Sequence, residues 1–108
     1  MSRLVNNFVN TTADLKQTAY SSPATGSGTR IDSFTATNTS GVNASYSAYI
    51  VTATDPEQPI IKDKIVVWGE NDLGIGLVNQ VIPPSSTLKV ECSASNSVYF
   101  TVAGEVLD

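Results

Sequence analysis

Five carboxylates, Asp55, Glu57, Asp63, Glu70 and Asp72, fall within one short stretch of the chain. Two carboxylates are enough for glycoside hydrolysis, so this stretch is where catalysis is first sought. A sugar also needs a cleft with walls, and each of the five stands in or beside turn residues, where acidic side chains form turns and face water. Histidine is absent from all 108 residues. Its absence removes the usual general base at neutral pH, the Ser-His-Asp and Cys-His arrangements, and the commonest zinc ligand. Cys92 is the one cysteine. It occupies an inward position of an alternating strand with no base to form its thiolate, and it reads as a buried, inert thiol. No catalytic residue, metal or cofactor is expected.

The remaining motifs read as structure. Glu70-Asn71-Asp72 offers oxygen ligands for calcium but lacks the EF-hand loop pattern, and it reads as a turn. Gly74-Ile75-Gly76 is followed by Asn at position 79 and opens no helix, so the dinucleotide fingerprint is not met. Gly26-Ser27-Gly28-Thr29 lacks the lysine of a phosphate loop. Asn10-Thr11-Thr12, Asn38-Thr39-Ser40 and Asn43-Ala44-Ser45 match the glycosylation acceptor pattern, which a chain this rich in Asn, Ser and Thr shows by chance. Trp68, Tyr20, Tyr46, Tyr49 and Tyr99 are the residues a sugar-binding platform would use, with core or interface packing as the alternative.

These side chains must be positioned by strands. Charged residues make up only 15% of the chain and hydrophobic ones 41%, and Ser, Thr and Asn dominate the rest, a balance that suits a sheet protein. The net charge of -4, with no Lys/Arg cluster, argues against nucleic acid as a partner. The amino terminus lacks an apolar run of signal-peptide length, and no stretch approaches the roughly 20 apolar residues of a membrane helix. With a single cysteine the fold cannot rest on an internal disulfide, which fits synthesis in a reducing compartment.

Short runs rich in β-formers alternate with turn residues, and the pattern predicts eight strands at 4–9, 15–20, 29–37, 45–53, 64–68, 76–82, 88–94 and 98–106. Leu88, Val90, Cys92 and Ala94 alternate with polar residues, as do Val98, Phe100 and Val102 in the last strand. The polar connection Ser95-Asn96-Ser97 is of hairpin length, so these two strands are expected to pair. Pro83-Pro84 should end the preceding strand. Ile31 and Phe34 fall out of phase unless a bulge near Asp32-Ser33 restores it. Ile65-Val66-Val67-Trp68 is apolar on both faces, which predicts a strand covered on both sides. The expectation is an all-β single domain over 1–108, a β-sandwich or jelly roll of about eight mostly antiparallel strands. Residues 1–19 would be amino-terminal strands or an arm engaged between subunits.

Tyr20-Ser21-Ser22-Pro23, residues 29–41 and 46–51, the run Val78-Asn79-Gln80-Val81-Ile82-Pro83-Pro84-Ser85-Ser86-Thr87-Leu88, and the closing segment 98–104 resemble small β-sandwich virion accessory proteins of tailed bacteriophages. That group often has Pro-Gly in its late turn. Here Pro84-Ser85 stands there, and because Ser resists positive φ a type I turn is expected. The resemblance implies a non-enzymatic virion structural protein, assembled in the bacterial host cytoplasm. Its role would be a capsid decoration or cement protein, or else a tail or fibre component, or a carbohydrate- or receptor-binding module at a tail tip. Its partners would be itself, as a trimer, and the major capsid protein or tail proteins. A domain this small buries only about two-thirds of its unfolded surface, so another chain covering the two-sided apolar strand would add stability. Ile65, Val66, Trp68, Leu73 and Ile75 are the expected interface.

Overall fold

The computed structural model describes residues 2–9, 13–52, 57 and 59–107, with residues 2–9 as backbone only. The expected strand 4–9 lies within the described residues, whereas Ala53 at the end of the expected strand 45–53, Asp55 and the Asn10 acceptor lie outside them.

The chain is all-β. In order the strands are β1 (Ser2–Val9), β2 (Gln17–Ser21), β3 (Gly28–Asn38), β4 (Ala44–Val51), β5 (Pro59–Val66), β6 (Asn71–Asp72), β7 (Val81–Ile82), β8 (Thr87–Cys92) and β9 (Val98–Leu107). They form two sheets whose pairings are all antiparallel. One sheet has the order β1-β9-β3-β6, with β7 also on β3, and the other β2-β8-β4-β5. Both contribute to one core: Ile31, Phe34, Phe100 and Val102 meet Tyr46, Ala48, Leu88 and Val90. Three rings bridge the sheets there, with Phe34, Tyr46 and Phe100 centroids 5.7–5.9 Å apart, the spacing of offset and edge-on aromatic pairs.

Alternation decides most of this locally. In β8, Leu88, Val90 and Cys92 point inward while Thr87, Lys89 and Glu91 do not, as a half-buried strand requires. In β3 the ladder with β9 runs from Gly28 to Ile31, skips Asp32 and resumes at Ser33. This is the expected bulge, and it brings both Ile31 and Phe34 into the core. Gly104 lies opposite the bulge, and a Cβ there would stand 2.3 Å from the Arg30 carbonyl oxygen. Arg30 braces the site by donating to Asp32 at 2.8 Å and to its cross-strand neighbour Glu105 at 2.9 Å.

Four expectations need correction. β8 and β9 are not a hairpin: they lie in opposite sheets, because each already has a ladder partner on both sides and both turn their apolar faces to the shared core. The connection between them is held by Ser97, which donates to the Ala94 carbonyl at 2.6 Å, and by Asn96 at positive φ. The expected strand 76–82 is a turn up to its last two residues, because the backbone of Gln80 and Asn79 bonds to Ile31 at the bulge rather than to a ladder. Asn71–Asp72, expected as loop, forms β6 against Ala36 and Thr37. The expected strand 64–68 begins earlier, at Pro59, and ends at Val66.

The late proline turn also departs from expectation. Ser85 adopts φ 58°, a left-handed conformation that L-residues resist. Tertiary bonds hold it there: Ser85 N–H donates to the Pro23 carbonyl at 3.1 Å and Ser22 N–H to the Ser86 carbonyl at 2.8 Å. The segment that joins β7 to β8 is thus pinned to the segment that follows β2.

Candidate functional site

Among the described residues, Glu57, Asp63, Glu70 and Asp72 do not converge. Glu57 is ion-paired with Lys16, whose ammonium also lies 4.2 Å from the centre of the Tyr49 ring. Hydrogen bonding to that lysine holds the Glu57 carboxyl below its ordinary range and raises Lys16. Asp63 is exposed on β5 and Glu70 is exposed in the turn after it. Asp72 accepts the phenol hydrogen of Tyr46 at 2.5 Å and the Gly74 N–H at 3.2 Å. Burial, then the Asp72 bond, pushes the Tyr46 phenol well above its ordinary value. A shallow polar depression of about 170 Å³ lies beside Asp14, Ser47, Asp63 and Glu91. Among the described residues no group of three or more His, Cys, Asp or Glu is placed to hold a metal ion. Cys92 is buried, with its thiol donating to the Ala94 carbonyl at 3.1 Å.

The aromatics separate by exposure. Tyr46 and Tyr49 are buried, Tyr20 is half-buried with its hydroxyl on Thr29, and Tyr99 is at the border of exposure. Trp68 alone projects, 59% exposed. It stands in the turn that ends β5, next to Val67, and this turn is rigid for a reason the local sequence does not show.

That reason is Asn38, a buried residue at the end of β3. Its Nδ2 donates to the carbonyls of Val42 at 2.8 Å and Val66 at 2.9 Å, and its Oδ1 accepts from the Ser40 N–H and hydroxyl. Its own N–H donates to the Glu70 carbonyl, and its carbonyl accepts from Gly69, both at 3.0 Å. Asn43 Oδ1 accepts the Trp68 N–H at 3.2 Å. The turn 67–70 is therefore tied to two neighbouring segments, and Trp68 is presented from a fixed base. The same bonds occupy the Asn38 amide, so the second acceptor pattern is closed to modification in the folded chain.

Of the expected interface residues, Ile65 (67% exposed), Trp68, Leu73 (60%) and Ile75 (85%) are at the surface. Val66 is not: it is 3% exposed and faces the core. The two-sided apolar run is thus one inward valine among outward residues at a strand end. Ile65 lies on the outer face of its sheet beside Ser45, its ladder partner. Ile75 belongs to a different place, the open flank between the two sheets. There a groove of about 290 Å³ is lined by Ile60, Ile61, Lys64, Asp72, Ile75 and Gly76. Ile60 and the groove are absent from the sequence reading because the expected strand begins only at residue 64, whereas β5 begins at Pro59.

The edge of β5 itself is poorly suited to accept another strand. Its register with β4 shifts twice, Asp63 has φ 47°, and Lys62, Asp63 and Lys64 put charge on the edge. Irregularity and charge are the devices that blunt sheet edges against pairing. Contact with another molecule at this side is left to side chains.

No protein-family model matches the chain, and neither a curated protein nor a solved structure does.

Proposed function

We propose that this chain is a non-enzymatic structural protein that self-associates as a trimer, a β-sandwich building block of a tailed-phage particle in the role of a capsid decoration or cement protein. Trp68 is the observation that carries self-association: a large aromatic held out from a braced turn, with Val67 beside it. Aromatics anchor desolvated protein contacts, and an anchor fixed before contact loses little freedom on binding. The phage setting follows from the resemblance of the segments around Tyr20, Thr29 and Pro83.

Light scattering over a concentration series tests the reading, with an oligomer expected for the wild type and a smaller species for Trp68→Ala. A monomer at high concentration refutes it. The genes beside the coding sequence test the setting: a major capsid gene supports decoration, and a fibre or baseplate gene supports the tail. The exposed face of Trp68 also favours a second reading, a glycan-binding module at a tail tip, which binding on a glycan array would support.

A further inference from the structure

We propose that the groove between β5 and β6 receives Trp68 of a second copy of this chain, so that copies join head to tail and close into a ring. This rests on the self-association reading and specifies how it occurs.

The lining of the groove suits an indole chemically. Three isoleucines, Ile60, Ile61 and Ile75, supply apolar walls. Gly76 leaves room between them, since a Cβ there would come only into ordinary contact, with Ile61 Cγ1 at 3.7 Å and with Ile60 Cγ2 and the Ile60 carbonyl oxygen at 3.8 Å. Two polar groups face the same space. Lys64 has no carboxylate partner among the described residues. Both bonds made to Asp72 use Oδ2, so Oδ1 has no donor among the described residues. An indole offers a flat apolar body, one N–H donor and a face that attracts a cation. The Trp68 indole N–H has no acceptor among the described residues, while its backbone N–H is held by Asn43.

The occupant must come from another copy. The turn that carries Trp68 is tied to Asn38 and Asn43 beyond the end of β5. Trp68 stands exposed there and is not among the residues that line its own groove. A knob and a hole at different places on one chain make a heterologous contact, which closes as a ring when the rotation allows, and a trimer is such a ring.

The test uses the intact chain, with light scattering and the emission of Trp68, the only tryptophan. The variants are Trp68→Ala, which lacks the knob, and Gly76→Leu and Ile75→Asp, which fill or charge the hole. Wild type is expected to assemble with blue-shifted emission. Each variant alone is expected to associate at least about thirtyfold more weakly, as loss of an anchor residue does. Mixing Trp68→Ala with Gly76→Leu, or with Ile75→Asp, leaves one intact knob facing one intact hole. The mixture should reach twice the monomer mass with blue-shifted emission, and no larger species. Variants that assemble like wild type, or a mixture that stays monomeric, overturn the groove while leaving self-association standing. A monomeric wild type overturns both.

Discussion

Replacing Asn38 tests whether one buried side chain fixes the Trp68 turn. Asn38→Ala removes four side-chain hydrogen bonds. Those to Ser40 and Val42 lie where water can replace them, and each is worth about 0.5–1 kcal/mol. The bond to the Val66 carbonyl is buried, and leaving that acceptor without its donor costs about 1–3 kcal/mol. The total, about 2.5–6 kcal/mol, is a large part of the roughly 5–15 kcal/mol of a typical domain. At about 4–8 °C per kcal/mol for a small domain, the melting temperature should fall by at least about 10 °C. Asn38→Asp keeps the shape and the Oδ1 acceptor but turns a carboxylate oxygen toward two carbonyls. Repulsion and burial raise the folded-state pKa of that Asp above its unfolded value of about 3.9. The variant is therefore closest to wild type below that unfolded value and loses ground as pH rises through the folded one. Urea titrations at about pH 3.5 and 7, straddling the unfolded pKa, followed by far-UV circular dichroism, measure the gap. A gap that stays constant or narrows toward neutral pH refutes the reasoning, as does an Asn38→Ala variant within about 0.5 kcal/mol of wild type, the range of ordinary surface substitutions.

Three further outcomes are expected. Gly104→Ala drives a Cβ against the Arg30 backbone, which cannot yield without opening the β3–β9 ladder, and a loss of about 3 kcal/mol in chemical denaturation is expected. Ser85→Gly relieves a left-handed serine and should gain about 0.5–1 kcal/mol, less than the full strain because glycine also frees the unfolded chain; unchanged stability would show that the bonds to Pro23 and Ser22 leave no strain. Tyr46 has a raised folded-state pKa, so its contribution is fully present below the unfolded value of about 10 and is lost as pH rises above it. Tyr46→Phe should blunt that alkaline loss, and an identical alkaline slope in the variant would contradict it.

Much of the fold was legible because strand alternation is a local property. Leu88, Val90 and Cys92 face the core as their spacing predicts, and the phase slip between Ile31 and Phe34 located the bulge at Asp32. Buried Cys92 followed from the same pattern. The partners of these strands were not legible. Ser95-Asn96-Ser97 has the length of a hairpin, yet length does not say whether the chain returns to the same sheet or crosses to the facing one. Ser85 was misread because its turn is held by Pro23 and Ser22, which its neighbours in sequence do not reveal.

The site divides in the same way. The sequence by itself determined that apolar side chains crowd residues 65–68, and that neither histidine nor a second cysteine is there to support common chemistry. Only the tertiary structure decided that Val66 turns inward, that Trp68 stands out from a turn braced by Asn38, and that Ile60 and Ile75 share a groove with Lys64 and Asp72. The reason is physical. Alternation of apolar and polar residues is read along the chain. Where both faces are apolar, as at 65–68, the face that meets the core and the contacts each residue makes follow from segments brought together across the chain, and Asn38 reaches Val66 from 28 residues away.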